Sequence, residues 1–229
     1  MELTKKNDFI EIEYLGKTEG DVFDTNISEE LKKINPEATA KPLIVSIGQQ
    51  MVIPGFDKDL EGKELGKKYT VKIEAKQAYG PRKPELIRLI PKKIFTEQNM
   101  NPVPGMTISL DNNIAKVVSA SGGRIMVDFN NPLAGKELEF EYIIKRKLTD
   151  LKEKVNALQD FFFRKQFEFE IDEEKKKIVF KEIQLVPILK MFREKFQEML
   201  GYDVEIFVNK AKKEDNQEKE KQENETNNL

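Results

Sequence analysis

The residues best placed to do chemistry lie in one stretch, 48–83, which reads GQQMVIPGFDKDLEGKELGKKYTVKIEAKQAYGPRK. Its order is a turn, a short helix opened by Pro54, a strand at Tyr69, Val71 and Ile73, and a Gln77-Ala78-Tyr79-Gly80 loop. Apolar side chains sit at every junction, a layout that suits an apolar pocket with a few fixed polar groups. Composition closes the commoner chemistries. The 229 residues include no Cys and no His, which removes disulfides, thiol nucleophiles and every His-dependent triad or metal site. The 41 acidic residues are scattered, so no carboxylate pair stands out for hydrolysis or for an all-oxygen cation site. Neither GxxxxGK followed by Ser or Thr nor GxGxxG occurs, so no phosphate-cradling loop is indicated, and no cofactor is expected.

Net charge is −2, from 39 basic and 41 acidic residues, which gives no electrostatic argument for nucleic acid or an anionic membrane. The opening MELTKKNDFIEIEYLG lacks the apolar core of a signal peptide, and no apolar run approaches a bilayer span. The chain reads as a soluble, cytoplasmic protein.

Several elements must position the 48–83 stretch. Phe9, Ile10, Ile12, Tyr14 and Leu15 form an alternating strand ended by Gly16, and residues 22–25 and 43–47 read as two more. The polar segment between these is a flap with a helical turn at 29–34. Phe56, Leu60 and Leu65 are expected on the apolar side of the Pro54 helix, with Gly62 as its stop. Residues 86–90, 107–110, 114–118 and 124–129 are strand-like, with turn sequences at 111–113 and 121–123 and a loop at 99–105. Phe140, Tyr142 and Ile144 return to the first sheet. Beyond Thr149, a plausible helix N-cap, Leu151, Val155, Leu158 and Phe162 recur at helical spacing. Strands at 167–171 and 178–183, a helix from Pro187 to Gly201 and a strand at 204–208 follow, giving the order α-β-β-α-β. From 210 to 229 the chain is Lys, Glu, Asn and Gln with almost nothing apolar, and disorder is expected there.

Two stretches carry a family resemblance: the 48–83 segment, and NNPLAGKELEFEY at 130–142. In this order, and flanking an insertion of roughly fifty residues, they resemble the FK506-binding-protein (FKBP) type of peptidyl-prolyl cis–trans isomerase. The insertion falls where SlyD-like members carry an insert-in-flap chaperone domain, and its Ile90-Pro91-Lys92-Lys93-Ile94-Phe95 segment is similar to theirs. The implied fold is α+β, an antiparallel FKBP-type half-barrel around a short helix. Residues 1–83 and 130–148 would form that domain, 84–129 a small β-rich insert, 149–209 a C-terminal α/β unit and 210–229 a charged tail.

The resemblance implies site residues. Tyr14, Phe23, Asp24, Ile53, Tyr79 and Phe140 match the family's catalytic pocket, with Val52, Phe56, Leu133 and Ala134 around it. Phe56 stands where many members have a tryptophan floor. The N–H of Ile53 and the hydroxyl of Tyr79 would hold substrate carbonyls. Asp24 would either orient Tyr14 or act electrostatically on the twisting carbonyl, and the sequence does not separate these roles. In the insert, Leu89, Ile94, Phe95, Met100 and Met106 are the candidates for gripping extended apolar clients by strand addition, set against a role as plain core.

The expected activity is prolyl isomerisation with chaperone function, acting on unfolded or partly folded proteins and proline-containing peptides. The rival is a holdase or assembly module on the same scaffold, and a carboxylate-dependent hydrolase is disfavoured. The third unit is similar to the additions of longer archaeal members. At about sixty residues it is near the limit for a self-sufficient core, which points to docking or to a homodimer through Phe161, Phe163 or Phe192.

Overall fold

The computed structural model describes residues 2–110, 112–181 and 186–206. In chain order the first elements are β1 (Phe9–Thr18), β2 (Asp21–Thr25), α1 (Ser28–Ile34), β3 (Leu43–Ser46), α2 (Pro54–Asp59) and β4 (Lys68–Ile73). Then come β5 (Ile87–Pro91), α3 (Lys92–Glu97), β6 (Thr107–Leu110), β7 (Asn113–Ser121) and β8 (Arg124–Asp128). The chain continues with β9 (Leu138–Lys147), α4 (Leu151–Phe163), β10 (Phe169–Asp172), β11 (Lys177–Phe180), α5 (Val186–Leu200) and β12 (Asp203–Ile206). The charged tail expected at 210–229 lies outside the described residues, as do the ends of the strands expected at 178–183 and 204–208.

The molecule is α+β. Its five-stranded antiparallel sheet runs β2-β1-β9-β4, with β3 pairing the first half of β1 and β2 the second half. The central strands β1 and β9 alternate over most of their length, with a bulge at Lys145 and with Phe9 and Ile10 both buried at the start of β1. Ile10, Ile12, Phe140, Tyr142 and Ile144 turn inward, while Glu13, Lys17, Glu139 and Glu141 turn toward water, where Lys17 and Lys68 pair with Glu141, Lys72 with Glu139 and Lys145 with Glu13. A four-stranded antiparallel sheet, β5-β8-β7-β6, is built from the inserted residues, and a three-stranded one, β10-β11-β12, from the C-terminal ones. The last pair, β11 and β12, is parallel, and α5 makes the crossover between them.

α2 is only six residues long, with Phe56 and Leu60 fully covered. Leu65 departs from the expectation. It lies beyond the helix end and is 40% exposed. α3 is an element the sequence reading missed; its one buried residue, Phe95, drops into the insert's core and shows no periodicity to detect. The cap of α4 is Asp150 rather than Thr149, its carboxylate accepting from the N–H groups of Lys152 and Glu153 at 3.3 and 3.2 Å.

Two cores result. One runs from Phe9, Ile12, Leu60, Ile73 and Tyr142 through Leu148 into Val155, Leu158, Phe180, Phe196 and Met199, so that the five-stranded sheet and the C-terminal elements share it. The other, Phe95, Ile108, Leu110, Ala115, Val117, Ile125 and Val127, lies wholly within the insertion.

Candidate functional site

Phe140, on the inward face of β9, is the centre of the site. The ring of Phe56 stacks on it with centroids 4.6 Å apart and planes 14° from parallel, and meets Tyr142 edge-on at 5.1 Å. From the other side Phe23 of β2 presents its edge at 5.7 Å and Tyr14 of β1 lies at 6.2 Å. Gly16, opposite Phe140 in the β1–β9 register, makes this crossing possible. A Cβ there would stand 2.8 Å from the Phe23 ring and 3.1 Å from that of Phe140. Phe56 and Phe140 are buried, whereas Tyr14, Phe23, Val52, Ile53 and Leu133 are half-buried around them. The result is an aromatic floor with apolar walls, open to solvent above.

Polar groups reach this bowl at its rim. The Tyr14 hydroxyl donates to the Asp24 carboxylate at 2.7 Å. Burial, then the hydrogen bond to Asp24 and its charge, then the neighbouring phenol of Tyr79, push the Tyr14 hydroxyl well above the usual tyrosine range. It stays a neutral donor at any physiological pH. Its backbone is held as firmly. The Tyr14 N–H donates to the side-chain oxygen of Asn26 at 2.8 Å, the Asn26 amide donates to the Ile12 carbonyl at 2.7 Å, and the Thr25 hydroxyl donates to the Tyr14 carbonyl at 2.7 Å. Asn26 thus replaces strand pairing where β2 leaves β1. The sequence alone places it in the polar flap, because contacts across so many residues have no local signal.

Ile53, packed against the same core, precedes α2 and accepts from the N–H groups of Phe56 and Asp57, both at 3.0 Å. Among the described residues nothing accepts the N–H of Ile53 itself. The carboxylate of Asp57, 4% exposed, takes the N–H groups of Gly48 and Gln50 at 2.8 and 2.9 Å. Gly55 lets α2 close onto β4, since a Cβ would fall 2.4 Å from the Ile73 methyl. Tyr79 stands on a tight loop whose Gly80 N–H returns to the Ala75 carbonyl at 2.7 Å. It is 43% exposed, and no protein group among the described residues takes its hydroxyl. The Gly135 N–H donates to the Gly80 carbonyl at 2.8 Å, which ties this loop to the turn carrying Leu133 and Ala134.

The insert candidates separate. Leu89, Ile94 and Met106 are 58%, 40% and 37% exposed, Met100 is half-buried against the insert's core, and Phe95 is fully enclosed. Phe95 therefore belongs to the alternative weighed above, plain core. Ile114 and Val118, not singled out from the sequence, are 74% and 42% exposed. They line a cleft of about 850 Å³ with Thr107 and Lys116, facing Arg82, Asn131, Ala134 and Lys136 across it.

Comparison with known proteins agrees with this geometry. Residues 2–97 match the family described as FKBP-type peptidyl-prolyl cis-trans isomerase, and residues 88–133 match that described as FKBP26, IF domain. A short-type peptidyl-prolyl cis-trans isomerase of Methanocaldococcus jannaschii is 36% identical over 141 residues, 60% of this chain and 90% of that one. The FKBP-type isomerase SlyD of Haemophilus influenzae is 28% identical over 151 residues, covering 63% of this chain and 74% of its own. A probable FKBP-type 16 kDa isomerase of Pseudomonas fluorescens is 32% identical over 105 residues, 44% of this chain and 69% of its own. The chain belongs to the FKBP-type peptidyl-prolyl cis-trans isomerases, SlyD-like in kind. No helix among the described residues is long and apolar enough to cross a membrane.

Proposed function

We propose that the chain rotates X-Pro bonds in unfolded or partly folded proteins in the cytoplasm, and that residues 84–129 act as a separate chaperone unit which holds those clients. The observations that carry the first part are the Phe56–Phe140 floor, an Ile53 N–H with no acceptor among the described residues and the exposed Tyr79 hydroxyl. A planar prolyl amide is resonance-stabilised and meets a barrier of about 20 kcal/mol to rotation. In the twisted transition state that resonance is lost and the carbonyl becomes less polar. An apolar floor favours the twisted form over the solvated planar one, while the Ile53 N–H and Tyr79 hydroxyl hold the flanking carbonyls. A millionfold acceleration needs only about 8 kcal/mol of such preference. No proton moves, so a permanently protonated Tyr14 is an asset. Its bond to Asp24 favours the orienting role for that carboxylate, which sets the phenol as part of the wall.

The holding role is supported by the exposed Leu89, Ile94 and Met106, to which Ile114 and Val118 add. A homodimer through residues 149–209 is also part of this reading. Its support is Met191, 75% exposed on α5, since the phenylalanines first considered for that surface pack largely among themselves: Phe162 stacks on Phe192 at 4.4 Å and Phe163 on Phe196 at 6.2 Å. Light scattering that returns a monomer at micromolar concentration removes this part alone.

The decisive experiment is isomerisation of a short chromogenic prolyl peptide, run beside suppression of aggregation on the same preparation. Turnover with both activities is expected; suppression without turnover gives the holdase instead. Tyr79→Phe should lower kcat/KM by about threefold, the loss of one hydrogen bond to an exposed donor. Phe140→Ala, checked first for folding, should lower it much further, and a folded Phe140→Ala enzyme with full activity defeats the pocket assignment.

A further inference from the structure

We propose that Asp57 is a positioning residue for the isomerase site, acting through the turn 48–51 to aim the N–H of Ile53. The inference rests on the reading of that N–H as a substrate-carbonyl donor. Asp57 is buried yet has no cation within ion-pair distance among the described residues. A carboxylate taken out of water needs compensation, and here all of it comes from the chain segment just before the site. Its two oxygens take the N–H groups of Gly48 and Gln50, and its own N–H donates to the Ile53 carbonyl. One residue therefore grips both ends of the segment 48–53.

The turn needs such a grip. Gly48 has φ of +80° and Gln50 φ of +56°, so a non-glycine residue is kept in the left-handed region two positions before Val52. That conformation costs a non-glycine residue about 1 kcal/mol or more, and it persists only where surrounding contacts over-determine it. The side chain of Gln50 is exposed and contributes nothing to holding it. The Asp57 carboxylate, accepting the Gln50 N–H, is the group that does.

Asp57→Asn is the test, being the same size while turning one acceptor into a donor that faces an N–H. A contact made equally in ground and transition states shows in KM, so KM for a prolyl peptide should rise about tenfold with kcat little changed. Asp57→Glu, which restores both acceptor oxygens, should recover most of that loss. A purely structural Asp57 would instead lower the melting midpoint and leave KM of the folded enzyme alone, which overturns the proposal. A readout independent of turnover accompanies this. The Gly48 and Gln50 amides should exchange slowly with solvent in the unmodified protein and rapidly in Asp57→Asn, and equal exchange in both also overturns it. Absence of turnover by the unmodified protein would count against the isomerase reading, whereas the exchange experiment bears on Asp57 alone. Should Asp57→Asn fail to fold, the surface pair Gln50→Val and Gln50→Gly applies the same question from the other end of the turn. The branched residue resists a left-handed φ and should raise KM about threefold, glycine should not, and identical KM values for the two contradict the inference.

Discussion

The inserted residues and the C-terminal residues are both additions to the five-stranded sheet, and they are attached in opposite ways. The insertion carries its own core and touches the sheet through its two linkers. Arg82 pairs with Asp128, and the Asn130 side chain both accepts from the Lys83 N–H at 2.8 Å and donates to the Lys83 carbonyl at 3.0 Å. Among the described residues, the C-terminal elements have no core apart from that of the sheet. They are stitched to it further by Arg146, which reaches from β9 to Glu11 of β1 and Glu153 of α4, and by Gln49, which donates to Glu198 of α5 at 3.1 Å. Similar lengths of chain thus give one unit that can be considered alone and one that cannot. Size does not decide this; which apolar faces find each other does.

The largest effect that would break the comparison is deletion of everything after Lys147. A chain ending there loses Val155, Leu158, Phe180, Phe196 and Met199 from the shared core, and we expect it to lose cooperative folding altogether, read as the absence of a sharp thermal transition. A well-folded truncated protein would mean that the shared core is two cores in contact. Next come two matched substitutions. Phe196→Ala and Phe95→Ala should each cost about 3–5 kcal/mol, but in different places. Phe196→Ala should strongly lower the temperature at which prolyl-peptide turnover fails, whereas Phe95→Ala should melt the insert and lower that temperature only by the smaller loop-closure cost of the melted insertion. Replacing 84–129 by a short flap should keep turnover of short peptides within about threefold of the full chain, while catalysis on an unfolded protein falls by tenfold or more as the tethered site is lost. Equal losses on both substrates would assign the insert a structural role.

The smallest effect concerns pH. Lys17, then Lys68, hold the Glu141 carboxyl down to about 2 against its usual 4.5. The unfolded chain therefore takes up this proton first on acidification, so the contribution is complete above about 4.5 and is lost as pH falls toward 2. Tyr14 and Tyr142 act in the other direction. Burial, then bonds to Asp24 and Asp59 respectively, keep them protonated, so the unfolded chain loses its protons first and stability falls above about pH 10. Both effects should appear in the melting of the five-stranded sheet, and the acid limb should be shallower in a Glu141→Gln variant, where Glu198 and Asp203, also held below their usual range, still contribute.

How much of this was legible in the sequence follows from what each feature depends on. Strands β1, β4 and β9 declare themselves by alternation, and the bowl around Phe140 by the order of Val-Ile-Pro-Gly-Phe, Ala-Tyr-Gly and Pro-Leu-Ala-Gly along the chain. α3 was invisible because a six-residue helix with one buried side chain has no period. Phe95 was misjudged for the same reason. Asp57 and Asn26 looked like ordinary polar residues, since their partners are backbone groups that only the folded chain brings near. The phenylalanine run 161–163 reads as apolar surface in search of a partner, and the sequence does not say that Phe192 and Phe196 of α5 would supply it.

The entrance and exit of the insertion lie side by side, clasped by Asn130, and this bears on how the protein can open without coming apart. To the five-stranded sheet a folded insertion is equivalent to a short turn, because its ends are already together. If it melts, the sheet must close a long floppy loop instead, yet each doubling of loop length costs only about 0.6 kcal/mol. A loop some eight times longer than a tight turn therefore weakens the sheet by about 2 kcal/mol. The insertion can loosen and reform at a cost to its host of about 2 kcal/mol rather than the host's whole stability.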